Sequence, residues 1–286
     1  MNHPRSPQEA TPNFAGCDCR NRSFRGRSLI GADFTGADLR GCDFTRANLT
    51  GANLTQARLG QTRRQWFLRC NGAIAAFLLS GHAISNLVFG SLGQTPSDKA
   101  WNYVIALVVS LSLAGARPGL QWLRQTWHWR GSVALSVIAG GAILGFFYVG
   151  TTFGKMPQWA IAGAVGMGLG AGIWGYSNSP LHRIASQMVS AIAAYGLMFL
   201  CGSTTLGWLG VGRLPDGLLL GAIALLYLGF ADQNLRAVTQ TIAQAPGTCF
   251  RRAILTDAQI TPAQLAQADL TNAIDPPNFT KTAKTH

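Results

Sequence analysis

An apolar residue recurs at every fifth position between Asn13 and Gly60, and this spacing constrains the fold more than any other feature of the sequence. An amphipathic helix has an apolar period of about 3.6 residues, and a half-buried strand has a period of about 2. A period of five fits neither element over an extended length. The chain is therefore predicted to turn a corner at each repeat, as short-period solenoids do. The central positions are Phe14, Cys19, Phe24, Leu29, Phe34, Leu39, Phe44, Leu49, Leu54 and Leu59.

The same period returns near the carboxyl terminus, after a helix-breaking Pro246-Gly247 pair. From Ala32 onward, a small residue stands two positions before each centre in both segments. The late centres are Phe250, Leu255, Ile260, Leu265 and Leu270.

The repeating pattern Ala-Asp/Asn-Leu/Phe-x-x resembles that of pentapeptide-repeat proteins. The resemblance covers about a quarter of the chain and implies a right-handed quadrilateral β-helix with one repeat on each side. It implies no single activity, because members of this family do many different things. With its apolar middle segment, the chain resembles the membrane-embedded members that are abundant in cyanobacteria.

Five late repeats would form barely one turn of a four-sided coil, which has no neighbour on which to bury its centres. If the repeats occupy the four sides of the coil in order, Leu59 lies on the second side of the last turn. The next repeat would therefore lie on the third side, where Phe250 would stack on Phe44. Leu255 would then follow Leu49, Ile260 would follow Leu54, Leu265 would follow Leu59, and Leu270 would stack on Phe250. We predict that the segment between the repeats is inserted into a single β-helix, with the Cα atoms of Phe44 and Phe250 about 5 Å apart.

The middle segment has the composition of a membrane domain. The whole chain is 48% hydrophobic and only 12% charged, which is poor in charge for a soluble protein. A bilayer core of about 30 Å requires about 20 helical residues, so the second and sixth apolar stretches are short and either could be re-entrant. The predicted fold class is an α+β membrane protein with a six-helix transmembrane bundle inserted into the β-helix. The six predicted spans are 73–92, 101–116, 132–154, 159–176, 184–202 and 217–231.

The formal net charge of +12 is compatible with nucleic acid, anionic lipid or membrane topology. Its distribution favours topology, because eight cations flank the six spans on one side and three on the other. By the positive-inside rule both termini are cytoplasmic, in a plasma or thylakoid membrane by family analogy. A basic repeat surface also argues against the acidic DNA mimicry of some relatives, and no nucleic-acid partner is expected. The two sets are Arg63, Arg64, Arg69, Arg117, Arg124, Arg130, Arg183 and Arg236 against Lys99, Lys155 and Arg213.

Two further patterns concern contacts with lipid or with another helix. Two pairs of glycines, each at four-residue spacing, would let a second helix approach closely. The approach could serve packing inside the bundle, a dimer interface or a gating hinge, so a homo-oligomer is one of the open alternatives. Aromatic and cationic residues alternate in a loop that either anchors its neighbouring helices or binds a lipid or partner. The glycines are Gly166, Gly168, Gly170 and Gly172, and the loop residues are Trp122, Arg124, Trp127, Trp129 and Arg130.

Few residues are candidates for chemistry. His82 and Asn86 share a helix face inside the first span, so a cofactor could bind there, although such a histidine more often bonds a neighbouring helix. Asp232 is expected to face water. The aspartates on the outside of the repeats, such as Asp33, form a solvated face. The sequence contains no HExxH, Walker or nucleophile-elbow motif, so no enzyme, metal or cofactor is predicted.

The sequence favours a non-enzymatic membrane scaffold that offers its repeats to a protein partner and contacts membrane lipids. The alternatives are a small-molecule or ion transporter regulated by the repeats and a pigment or haem carrier that uses His82 or His182. The expected organisation is a disordered amino terminus (1–12), early repeats (13–61), spans (62–232), a linker helix (233–247), late repeats (248–275) and a tail (276–286).

Overall fold

The structure is a computed structural model, and it describes residues 11–98, 100–121, 132–153, 156–175 and 180–274. These residues divide into two compact units. One contains the residues up to Leu68 and those from Gln244, and the other contains Arg69–Ala243. The elements are α1 (Arg63–Ser91), α2 (Trp101–Gly115), α3 (Ser132–Thr152), α4 (Pro157–Gly175), α5 (Pro180–Gly210), α6 (Leu214–Gln244), β1 (Thr248–Cys249), α7 (Pro262–Leu265) and β2 (Ala268–Asp269).

The early repeats consist of isolated parallel bridges, each followed by a two-residue turn. Asn13 bridges Asp33, and Asp33 bridges Asn53, so the backbone returns to the same side after twenty residues. We call residues 13–60 and 248–274 the repeat coil. The turn residues have positive φ, such as 67° at Gly36 and 60° at Arg46, and they bend the chain before a second consecutive bridge can form.

The predicted fold class is therefore wrong. No strand forms between residues 13 and 63, so a β-helix is not present there, and the described chain has only the two-residue strands β1 and β2. The structure is mostly helical. The physical reason is the turn after every bridge, which leaves one bridging residue in five and no extended sheet.

The two repeat segments nevertheless join in the predicted register. Asp43 bridges Cys249, and Phe250 stacks on Phe44 with 5.0 Å between ring centroids and 6° between planes. Parallel pairing of β1 with β2 joins Cys249 to Asp269, which brings Leu270 beside Phe250. The predicted stacking of Phe250 between Phe44 and Leu270 is confirmed.

Around Leu265 the backbone differs from the regular repeats. Leu265 lies in α7, which begins with a capping box formed by Thr261 and Gln264, and it packs partly buried against the core of the coil. The side-chain amide of Gln264 donates to the carbonyl oxygens of Leu54 and Ala57, at 2.9 and 2.7 Å. Hydrogen bonds from the Gln264 side chain in a helical turn thus take the place of the backbone bridge that the repeat pattern predicts here.

The centres of the repeats form the core of the coil. The small residues that precede them, such as Ala32 and Ala253, are also fully buried, because the interior leaves little room beside the large side chains. Among the centres, Phe14, Leu265 and Leu270 are partly buried and the others are buried. Thr248 is fully buried, and its Oγ1 accepts the N–H of Gly60 and donates to the carbonyl of Leu39, each at 3.0 Å.

Each of the six predicted spans overlaps a helix, but among the described residues only four helices are long and apolar enough to cross a membrane. These are α1, residues Ala134–Thr152 of α3, α5 and α6. The prediction of six spans is corrected to four. With 15 residues, α2 is about 22 Å long, which is shorter than the bilayer core. The 19 residues of α4 are long enough, but α4 is not among the helices that meet both the length and the hydropathy expected of a span.

Candidate functional site

Four arginines gather at one corner of the repeat coil. Arg25 and Arg46 come from the early segment, and Arg251 and Arg252 come from the late one. The backbone N–H of Arg46 donates to the carbonyl of Arg251 at 2.9 Å, so the two segments are in direct contact there. Together with Thr45, Thr271 and Asn272, these arginines line a cavity of about 260 Å³, and all four are exposed. We call Arg25, Arg46, Arg251 and Arg252 the arginine corner.

Ion pairs neutralise only part of this positive charge. Arg251 pairs with Asp269 at 2.6 Å, and this hydrogen bond raises the pKa of Arg251. Within the part of the chain that the structure describes, Arg25, Arg46 and Arg252 form no ion pair. The corner therefore presents three uncompensated cations to solvent.

The next side of the coil has a different electrostatic character. Arg20 pairs with Asp18 at 2.5 Å and Arg40 pairs with Asp38 at 2.6 Å, so each cation has its own carboxylate. Hydrogen bonds from the Arg20 side chain lower the pKa of Asp18 to about 2. Asp33 accepts from the backbone and side chain of Thr35, which lowers its pKa. These acids serve as local turn acceptors, in line with the expected solvated face.

The closest helix contact in the other unit lies between α3 and α4. A Cβ atom at Gly141 would lie 2.6 Å from the carbonyl oxygen of Met167, and one at Gly145 would collide with the carbonyl of Gly163. Among the glycines singled out in the sequence, Gly168 and Gly172 face Ile138 of α3. The other pair, Gly166 and Gly170, has no described atom within 4 Å of an added Cβ.

His82 and Asn86 lie on the exposed face of α1. The side-chain amide of Asn86 donates to the His82 carbonyl at 2.7 Å, so it serves its own helix. The His82 ring contacts Phe147 edge-on at 5.3 Å and lies 3.5 Å from the hydroxyl of Tyr148. This arrangement brings no second metal ligand to His82, and the described residues contain no group of three that could hold a metal ion. Asp232 pairs with Arg236 at 2.8 Å and is exposed.

A cavity of about 550 Å³ lies among α1, α2, α3 and α4. Its lining is mainly apolar, and its polar members, which include Asn86, Gln94, Asn102 and Tyr103, are uncharged. Such a surface suits a neutral, largely apolar ligand. The loop residues Trp122, Arg124, Trp127, Trp129 and Arg130 lie outside the described residues, as do positions 1–10 and 275–286.

Comparison with protein-family models matches the family described as pentapeptide repeats, in eight copies, to residues 13–51 and 28–63. This segment belongs to the pentapeptide-repeat family. The matched residues end at 63, so the membrane-embedded subtype receives no support from the family comparison. Comparisons with curated proteins and with solved structures found no match to the chain.

Sequence reasoning recognised the pentapeptide repeats but missed the arginine corner. Its members lie in two segments separated by about 200 residues, and they become neighbours only when the late repeats continue the early coil. One signal was present in the sequence: Arg46 and Arg252 both stand two residues after a phenylalanine centre, Phe44 and Phe250. The predicted register therefore already implied that these cations are adjacent.

Proposed function

We propose that the protein is a non-enzymatic membrane scaffold whose repeat coil binds an acidic segment of a partner protein. The arginine corner carries this proposal, because it places three uncompensated cations beside a shallow cavity. Successive turns of a coil built from parallel bridges are about 5 Å apart, and Arg46 and Arg252 follow this spacing. A partner with closely spaced carboxylates fits such a row, and its charge complementarity would give both specificity and fast association.

The membrane part of the proposal rests on the four apolar helices. Both repeat segments belong to one compact unit, so the chain must cross the bilayer an even number of times between them, and four crossings satisfy this condition. Arg63 and Arg64 at the start of α1 and Arg236 near the end of α6 flank these helices on the side of the repeat coil, which favours a cytoplasmic position for this unit by the positive-inside rule. The helices would then anchor the docking surface at the membrane.

A photocrosslinking amino acid at Thr271, which is exposed and lines the corner cavity, tests the proposal in membranes of the source cells. We expect the intact protein to capture a protein through an acidic peptide, identified by mass spectrometry. A triple variant, R25Q/R46N/R252N, should lose this crosslink. Asparagine is chosen at Arg46 and Arg252 because it tolerates the positive φ of 60° and 53° found there.

The matched control is R22Q/R27Q/R58Q, which removes the same charge from exposed arginines of the same coil that do not line the cavity. It should keep the crosslink. Capture that persists in the corner variant, or that is lost equally in both variants, would refute the docking function. A crosslink destroyed by nuclease would identify a nucleic acid as the partner and would also refute it.

The uncharged cavity among α1 to α4 favours a second candidate, a transporter or carrier of a neutral ligand. Its expected signature is an apolar small molecule that remains bound to the detergent-purified protein and is detected by mass spectrometry. A pigment or haem would add an absorption band at wavelengths longer than those of the aromatic side chains. Protein that is free of any such ligand would remove this candidate.

A further inference from the structure

A polar cavity of about 240 Å³ lies in the helical unit, just after the end of α2. Arg117 and Gln121 contribute from the helical turn at residues 117–121. Gln187 contributes from the second turn of α5, and Gln233 and Asn234 contribute from α6. The described part of the lining thus combines one cation with four side-chain amides and contains no acid.

Arg117 is held in place by a neutral partner. Its Nη1 donates to Oγ of Ser186 at 2.6 Å, and Ser186 in turn donates to the carbonyl of Arg183. The loss of water around Arg117, together with the nearby charge of Arg183, lowers its pKa to about 10. The guanidinium therefore stays charged at neutral pH in a site that disfavours the charge.

No carboxylate is available to compensate this cation. The sequence between residues 69 and 243 contains only three acids, Asp98, Asp216 and Asp232. Asp216 and Asp232 each pair with a nearby arginine at 2.8 Å, and Asp98 accepts hydrogen bonds from Thr95. A charged side chain that is surrounded by protein and has no opposite charge nearby carries a high desolvation free energy. In a membrane domain such a residue commonly marks a binding site.

The neighbouring amides add hydrogen-bond donors. Gln187 is buried and uses its Oε1 to accept from Thr241 at 3.1 Å, which leaves the N–H groups of its amide for the cavity. Asn234 is buried and uses one N–H for the carbonyl of Phe230 at 2.9 Å. A guanidinium fork with adjacent amide donors matches the several acceptor oxygens of a phosphate.

We propose that this cavity binds a phosphate group through Arg117, Gln187 and the amides of α6. The group comes either from the headgroup of an anionic phospholipid or from free inorganic phosphate. Basic pockets at the ends of membrane helices bind lipid headgroups in this way. The site is independent of the repeat coil, so it does not rest on the docking function.

The full-length protein, purified in a neutral detergent, is titrated separately with phosphatidylglycerol, with inorganic phosphate and with uncharged diacylglycerol. The shift in thermal unfolding temperature, followed by tryptophan fluorescence, reports binding to the folded state. We expect a shift with at least one phosphate probe and none with diacylglycerol. A response to phosphatidylglycerol alone identifies the lipid headgroup, whereas a response to inorganic phosphate identifies the free anion as a ligand.

Arg117→Gln should abolish the shift, and Arg117→Lys should weaken binding about tenfold, because lysine keeps the charge and loses the fork. Ala237→Phe narrows the cavity and leaves the cation in place, so it should also abolish the shift and decides the outcome if Arg117→Gln does not fold. The matched control is Arg213→Gln, which removes an exposed cation outside the cavity. The proposal is wrong if the unmodified protein responds to neither phosphate probe, or if Arg117→Gln or Ala237→Phe responds as Arg213→Gln does.

Discussion

Replacing Phe250 by alanine is expected to loosen the junction between the two repeat segments. The Phe250 ring is fully buried and completes a stack in which Phe24, Phe44 and Phe250 follow one another with 5.0 Å between ring centroids. Truncating a buried phenylalanine costs about 3–5 kcal/mol, and the loss of a stacked ring pair contributes about 0.5–1.5 kcal/mol of that cost. The late segment has few other contacts of this size, so its opening should become much easier.

Hydrogen exchange measured by mass spectrometry reports this opening directly. The N–H of Phe44 donates to the Cys249 carbonyl at 2.7 Å, and the N–H of Leu49 donates to the Ile254 carbonyl at 2.9 Å. A cost of about 3–5 kcal/mol corresponds to a loss of protection of about two to three and a half orders of magnitude at these amides. Peptides that cover residues 44–49 and 249–260 should show it.

Phe14→Ala is the matched control. Phe14 stacks on Phe34 at 4.9 Å in the same coil, but it lies at the open end and is only partly buried. Its truncation should leave the exchange of residues 249–260 nearly unchanged. If Phe250→Ala loses no more protection there than Phe14→Ala does, the inferred role of the aromatic stack is wrong.

Two further predictions concern helix packing and pH. Gly145→Val should destabilise the α3–α4 contact by about 1–3 kcal/mol, because its side chain collides with the Gly163 carbonyl, whereas Gly166→Val meets open space and should leave the thermal unfolding temperature nearly unchanged. The Asp18 pKa is lowered from 3.8 to about 2 by Arg20, so its stabilising contribution is complete above about pH 4 and is lost as the pH falls through 2. Arg20→Gln should return the carboxyl titration, followed by NMR, towards 3.8, and a titration that stays near 2 would show that Arg20 is not the cause.

The repeat register could be predicted from the sequence because a fixed period of five leaves few ways to stack two segments. Phe250 is the only aromatic centre of the late repeats, and its place on Phe44 followed from counting repeats around four sides. The capping box at Thr261 and Gln264 is a signal in the sequence for the helical turn α7, which replaces a fifth-residue bridge there.

The fold class and the number of spans were wrong for separate reasons. Periodicity places bends and buried centres, but it does not show whether the residues between bends form strands, and positive φ at positions such as Gly36 prevents this. Counting apolar stretches treated α2 and α4 as spans, although α2 is short and α4 is rich in glycine. The cavity around Arg117 could not be predicted, because its residues come from three distant segments. The absence of spare acids was, however, readable from the sequence.

The claim that early and late repeats of the same chain form one coil is tested most directly by a disulfide. The hydroxyl of Thr45 lies 3.4 Å from Sγ of Cys249, so Thr45→Cys should form a disulfide with Cys249 under mild oxidation, whereas Thr55→Cys on an exposed turn should not. Peptide mapping without reductant should find the linked peptides in protein that migrates as a monomer. If the Thr45→Cys variant forms this disulfide only in covalent dimers, or does not form it at all, the result would contradict the account.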